Sequence, residues 1–180
     1  ALRERYGIAP EDIRYFTHGT TVGVNTIIQR SGSKLALVVT EGFEDVLEVG
    51  RLKMPDPYNI FSRRPPPLVA REDVFGVSER IVAKGTVQQP LDEESVRVAL
   101  DAAVAAECDS VVVALLHAYR NPAHEKQISA LAKAEYPQLL VALSSEIWPI
   151  IREYERTVTA VVSTYAQRKM RHYLDSVSYT

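Results

Sequence analysis

The 180-residue sequence has a single cysteine, Cys108, so no disulfide can form within the chain, and a lone thiol in such a sequence is more often packing than chemistry. It has no long hydrophobic run either. Stretches such as Val111–Leu116 fall far short of the ~20 apolar residues that a helix needs to cross a bilayer. Charge of one sign is also missing: 21 Lys and Arg stand against 23 Asp and Glu, a formal net charge of −2, and no basic run exceeds two residues. A phosphate backbone finds no electrostatic footprint here, which argues against nucleic acid as a partner. The first residues lack the pattern of a signal peptide. What remains is a globular composition, 46% hydrophobic and 24% charged, that reads as a cytoplasmic chain with no membrane contact and one buried core. The sequence starts at Ala1 without methionine and stops at Thr180 straight after a helical run, so it is expected to be part of something longer.

Periodicity supplies the elements. Ile13–Phe16 is a short β-type run, and Thr20 or Thr21 can cap a helix continued by Val22, Thr26 and Ile27. Lys34–Thr40 is a near-continuous apolar run of strand length with Gly42 as a breaker, the pattern of a buried central strand. From Gly50 to about Arg71 periodicity vanishes and prolines stand at 55, 57, 65, 66 and 67, which marks either a functional loop or a disordered one. Phe75–Val77 and Glu79–Val82 read as strands, with Lys84-Gly85 turning into Thr86-Val87 to make a small hairpin. Asp92 caps a helix with Glu93 and Glu94 in its first turn and a Leu91–Val96 hydrophobic staple. Ser110–Leu116 is a second buried strand, Asn121-Pro122 starts a helix with proline at its first position, and Leu139–Leu143 is a third strand. The last helix runs from about Ile150 to Leu174. Helix alternating with strand over short loops predicts an α/β layered domain over 1–150, and 151–180 reads as a long helix leading towards a second domain.

Two groups of residues could carry chemistry. His18-Gly19-Thr20-Thr21 lies at a helix start, where backbone amides carry partial positive charge and a glycine lets an anion approach, so a phosphate or a carboxylate fits there; an ordinary turn and cap is the competing reading, since this is neither a P-loop nor G-x-G-x-x-G. His117, Asn121, His124 and Glu125 flank a strand end and a helix start. Without a third clustered His or Cys they read as capping and surface groups rather than metal ligands, and no metal site is assigned. Arg152, Glu153, Glu155 and Arg156 alternate in sign and read as a solvated or locally paired helix face.

The blocks HGTTVGVNTIIQRSGSKLALVVTEGFEDVLEVGR, RPPPLVAREDVFGVSERIVAKGTVQQPLDEE, LLHAYRNPAHE and SSEIWPIIREYERTVTAVVSTY follow one another in an order that resembles the hydantoinase A / 5-oxoprolinase family, from about Ile13 to about Tyr173. The resemblance implies a ribonuclease-H-like domain of the actin-like ATPase superfamily, in which two such domains hold ATP and Mg in the cleft between them. It places HGTT at the carboxyl end of a strand facing that cleft. His18, Thr20 and Thr21 then become the catalytic candidates, with His18 orienting or shuttling a proton, and Gly19, Thr20, Thr21 and Asn25 the nucleotide-binding ones. Arg51, Asp56 and Tyr58 of the proline-rich loop are the candidates for contact with substrate. Family members open with a D-x-G-G-T-x-T-D phosphate loop several tens of residues before HGTT. No such motif stands before Ile13 here, so the first strands are expected to lie outside the sequence and the chain alone is not expected to hydrolyse ATP.

The activity implied is ATP-dependent opening of a cyclic amide, a hydantoin or 5-oxoproline, by phosphorylation of the lactam oxygen before water attacks. The small-molecule substrate would be met together with a second domain or a hydantoinase B-type subunit. The alternatives are the ATP-activating subunit of an acetone- or acetophenone-type carboxylase, and a non-catalytic assembly module. The stretch GRLKMPDPYNI looks closer to the hydantoinase type. If the initial hairpin is missing, a strand edge is left to pair with another chain, so an oligomer is expected.

Overall fold

A strand that is apolar at every position must be covered on both faces. β1 (Leu35–Thr40) meets that condition, being buried throughout, in a computed structural model that describes residues 7, 21–52 and 54–178. The expected strand at Ile13–Phe16 lies outside the described residues.

β1 pairs in parallel with β2 (Val74–Val77) on one side and β5 (Ser110–Ala114) on the other, and β5 pairs in parallel with β6 (Leu140–Leu143), giving the order β2-β1-β5-β6. Helices cover both faces. Ala36, Val38, Val111 and Val113 point into a core shared with α3 (Glu93–Ala105) and α4 (Ala123–Glu135) through Val96, Leu100, Ile128 and Ala132. Leu35, Leu37, Val39 and Val112 point the other way, against Ala160, Val161 and Tyr165 of α6 (Glu153–Ser178) and Ile27 of α1 (Val22–Ile28). The two-residue alternation of a strand thus sorts one continuous apolar run into two cores. Burying Leu37 and Val38 completely contributes about 1.5–3 kcal/mol each.

The expected hairpin exists but is smaller than its sequence signal. β3 (Arg80–Ile81) and β4 (Val87–Gln89) pair antiparallel, turning at Gly85 with φ +84°. β2 does not join them; the long proline-bearing connection carries it back beside β1 instead. Two helix starts carry the residues expected of them. Asp92 Oδ1 accepts a hydrogen bond from Glu94 N at 3.2 Å, and Leu91 packs into the same core as Val96. Pro122 stands one residue before α4, whose Ala123 N donates to Asn121 Oδ1 at 3.1 Å. α6 begins at Glu153 rather than Ile150. Pro149 forces its predecessor Trp148 into an extended conformation after the short α5 (Ser144–Ile147), and the chain turns before the helix starts. After β1 comes another short helix, α2 (Val46–Val49).

Candidate functional site

Parallel strands end on one edge, and open α/β sheets take ligands there. That edge is unusually polar beneath its surface. Thr40, the last residue of β1, donates from Oγ1 to Glu79 Oε1 and accepts from Leu116 N at 3.0 Å, while Glu79 Oε2 lies 2.7 Å from His124 Nδ1. Beside it Glu125 receives four donors: Leu115 N at 3.1 Å and Ser144 Oγ at 2.7 Å on one oxygen, Ser145 N at 3.0 Å and Ser145 Oγ at 2.6 Å on the other. A carboxylate so fully satisfied holds the ends of β5 and β6 together and has no lone pair left for a substrate. This overturns the sequence reading of His124 and Glu125 as capping and surface groups. Both are buried, because the first turn of α4 faces the sheet edge, where loose N–H groups await an acceptor.

Arg156 is the second correction. Read as part of a solvated helix face, it is 0% exposed, with Nε donating to Ser144 Oγ at 3.0 Å, Nη1 to Ile150 O at 3.0 Å and Nη2 to Leu115 O at 2.6 Å. Burial draws its pKa down, while the Glu153 and Glu125 carboxylates act in the opposite sense. The guanidinium also lies 5.8 Å from the centre of the Tyr119 ring.

Just outside this network sit His117, with φ +54°, and Glu153, the first residue of α6. His117 Nδ1 and Glu153 Oε1 stand 3.8 Å apart, and each is a buried atom without a hydrogen-bond partner among the described residues.

A second feature is the loop after α2. Arg51 pairs with Glu155 and borders a cleft of about 590 Å³ floored by Tyr154 and walled by Arg64 and Pro65–Pro67. Arg64 Nη1 donates to the carbonyl oxygens of Glu48 and Val49 at 2.6 Å each, and Arg30 donates to those of Pro66 and Pro67, so the prolines are anchored although they have no N–H of their own. Asp56 and Asn59 each accept from the backbone two residues on, at Tyr58 and Phe61, which orders the tip. Tyr58 is 97% exposed there. Arg51 therefore lines a concavity, whereas Asp56 and Tyr58 stand apart from it.

Thr21 and Asn25 come together at the start of α1, Asn25 Nδ2 donating to Thr21 Oγ1 at 3.2 Å. Thr21 makes no side-chain cap bond. His18, Gly19 and Thr20 lie outside the described residues. A Cβ on Gly23 would lie 3.5 Å from Met170 Sδ. At about 1.5 Å per residue, Met170 is roughly 21 Å along α6 from Arg156. The helix-start pair and the buried network are thus separate places in the fold.

The sequence profile of the hydantoinase/oxoprolinase N-terminal region matches residues 1–136. The chain belongs to the hydantoinase/oxoprolinase family. An acetophenone carboxylase gamma subunit from Aromatoleum aromaticum is 36% identical over 94% of this chain. The caprolactamase subunit alpha of Pseudomonas jessenii is 33% identical over 89% of it. The crystal structure of ATP-dependent caprolactamase from that organism superposes with a TM-score of 0.86 over 98% of this chain and 26% of its own. The 5-oxoprolinase 1 of Arabidopsis thaliana is 31% identical over 93% of this chain and 14% of its own. The chain spans about a quarter of the length of these carboxylase and caprolactamase subunits, 25% and 23%.

Membership in the hydantoinase/oxoprolinase family raises the question of ATP and Mg. Among the described residues no group of three or more His, Cys, Asp and Glu side chains could hold a metal ion. Mg binds largely through phosphate oxygens and water with one or two carboxylates, so it would not need such a group, and the described residues assign it no ligand. Thr21 and Asn25, both exposed, carry the hydroxyl and amide donors that suit phosphate oxygens. Sequence reasoning missed Glu79, Ser144 and Ser145 altogether and misjudged His124, Glu125 and Arg156. A signal was present in the SSEI and REYER blocks, but their charge pattern equally describes a wet surface.

Proposed function

We propose that this chain is the N-terminal part of an ATP-dependent enzyme that opens a cyclic amide of the hydantoin or 5-oxoproline class. The observation that carries the reading is the likeness over nearly the whole chain to ATP-dependent caprolactamase, at a TM-score of 0.86 and 31% identity. The polar carboxyl edge of the sheet supports it. In this reading the domain is ribonuclease-H-like, of the actin-like ATPase superfamily, and a second domain or a hydantoinase B-type subunit closes the site.

Amide resonance makes a lactam carbonyl a poor electrophile. ATP, when bound, supplies the phosphoryl group that turns the lactam oxygen into a leaving group. The chain's own residues bind and orient. Gly19, Thr20, Thr21 and Asn25 offer amides and hydroxyls to phosphate oxygens. His18 orients the carbonyl or moves a proton. Arg51, Asp56 and Tyr58 meet the substrate or the closing partner. The Glu125–Arg156 network keeps the ends of β5 and β6 rigid at the carboxyl edge of the sheet.

The test is turnover by the full-length protein with its partner subunit on hydantoin, 5-oxoproline and caprolactam, following ADP release and ring opening together. Coupled release of both supports the reading; no ring opening on any cyclic amide overturns it. The 36% identity to an acetophenone carboxylase subunit supports a second reading, the ATP-activating subunit of a carboxylase. Strict dependence of ADP release on bicarbonate and a ketone would select that one. Titration calorimetry with Mg-ATP separates both from a non-catalytic assembly module, which would give no heat of binding.

A further inference from the structure

We infer that the cleft between Arg51, Arg64 and Tyr154 docks a partner chain through an acidic segment, one carboxylate of which seats on Arg51 while apolar side chains next to it cover the cleft walls and the neighbouring loop. The inference takes from the reading above only that a partner subunit closes the site, and adds where and by what chemistry that subunit is held.

The cleft of about 590 Å³ continues into a smaller one of about 280 Å³, which shares Leu47, Pro65–Pro67 and Tyr154 with it and reaches Ile27 and Arg30 at the end of α1. Together they form a trough whose length suits an extended segment of chain. Its walls are stiff. Each proline fixes its own φ, and Tyr154 is carried by the first turn of α6. A partner that enters such a trough meets a surface already shaped, so little ordering cost falls on this side of the contact.

The chain leaves the cleft at Arg51 and returns to it at Arg64, and between them Leu52, Met54, Tyr58, Ile60 and Phe61 are exposed. Asp56 Oδ1 accepts from Tyr58 N at 3.2 Å, Asn59 Oδ1 from Phe61 N at 2.9 Å, and Ser62 Oγ from Asp56 N at 3.1 Å. The loop thus holds its shape with these side chains outside. Single exposed apolar residues are ordinary, but a group of them on one ordered loop marks an interaction surface. Aromatic residues, Met and Arg are the types that interfaces concentrate.

Charge selects the partner. Arg64 donates to the carbonyl oxygens of Glu48 and Val49 and Arg30 to those of Pro66 and Pro67, so both guanidiniums are fixed by neutral oxygens and keep their charge at the walls. Glu48 also lines the cleft, and Glu155 pairs with Arg51 at its rim. Three guanidiniums against two carboxylates leave the surround positive, and its complement is an anion. Arg51 is the group free to exchange: its side chain is 48% exposed and that of Glu155 26%, a surface pair that contributes little by itself. A carboxylate arriving with an apolar segment is shielded from water by that segment, and the planar guanidinium can take it in two parallel bonds that fix the direction of approach. In the free chain Glu155 occupies the place that the partner's carboxylate takes.

The experiment measures the dissociation constant between the full-length protein and its hydantoinase B-type subunit by interferometry, at low and at high salt. R51E should weaken assembly at least ~10-fold without lowering the melting temperature, because a surface pair adds little to stability. E155Q removes the competing carboxylate and should tighten assembly about threefold or more, whereas loss of a merely structural pair would leave it unchanged or weaken it. Added salt should weaken wild-type assembly, and R51E assembly less steeply. Opposite shifts in R51E and E155Q support the docking site; failure of either shift overturns it, while the cyclic-amide reading stands or falls on ring opening, measured separately. Sedimentation of the wild-type protein alone tests the other occupant: self-association that R51E abolishes would put a second copy of this chain in the cleft and overturn the inference. A wild-type protein that does not assemble with the subunit overturns it as well.

Discussion

Arg156 Nη2 donates a 2.6 Å hydrogen bond to the carbonyl oxygen of Leu115, so the helix that follows the sheet is fastened to the end of a central strand by a fully buried charge. Its other two donors, to Ser144 Oγ and Ile150 O, bind the β6 end and the turn before α6 to the same point. Losing one partner of such a network costs about 3–5 kcal/mol, because the groups left behind are buried and unpaired. R156A in the full-length protein should therefore lower hydrogen-exchange protection of the Val112–Ala114 amides by roughly two to three and a half orders of magnitude, since each 1.4 kcal/mol is about tenfold. Protection within a factor of about three of wild type would mean that the buried guanidinium contributes little.

Thr21 is exposed and makes no side-chain cap bond, so T21A removes only the acceptor of the Asn25 amide. Stability should change by less than about 0.5 kcal/mol, the range of an ordinary surface substitution. ATP-coupled turnover should fall at least tenfold if the HGTT segment meets phosphate or the substrate carbonyl. Equal losses of melting temperature and activity would return Thr21 to a purely structural role.

Tyr58, Ile60 and Phe61 are 97%, 90% and 81% exposed on a loop tip that is ordered by its own hydrogen bonds. Large apolar side chains presented this way have the character of interface anchors. F61S combined with Y58S should leave the melting temperature unchanged and weaken assembly with the proposed partner subunit, read by native mass spectrometry. Unchanged assembly, together with full activity after proteolysis of this segment, would make it a surface loop without a role.

Cys108 is buried in the core formed with α3 and α4, and burial pushes its thiol pKa up. At pH 8 the native protein should therefore resist iodoacetamide at this position, and denatured protein should react within minutes. Alkylation at equal rates in both states would contradict the packing role read from its solitary place in the sequence.

The elements were largely legible in the sequence because their causes are local. Asp92 two residues before Glu94, glycine at the Lys84-Gly85 turn and unbroken apolar runs at 35–39 and 111–115 each act within a few residues, and the structure follows all of them. The shift of α6 to Glu153 has a local cause too, in Pro149. The resemblance in the HGTT, EGFEDV and REYER blocks was likewise a matter of order along the chain, and the family follows from it.

Burial of charge was not legible in the same way. Arg152, Glu153, Glu155 and Arg156 look alike as a string of alternating signs, yet Arg156 is sealed inside, Glu155 pairs with Arg51 across the chain, and Glu153 faces His117. Which member of such a run turns inward depends on where unpaired backbone groups of other elements lie, here Leu115 O at the end of β5 and Ile150 O before the helix. The same holds for Glu125, whose four donors come from positions 10, 19 and 20 residues away along the chain. Local patterning determined the strands, the helices and the two-sided core, since periodicity and caps act over a turn or two. Only the tertiary structure decided which polar groups that core would enclose, because a hydrogen bond between distant residues leaves no spacing in the sequence to read.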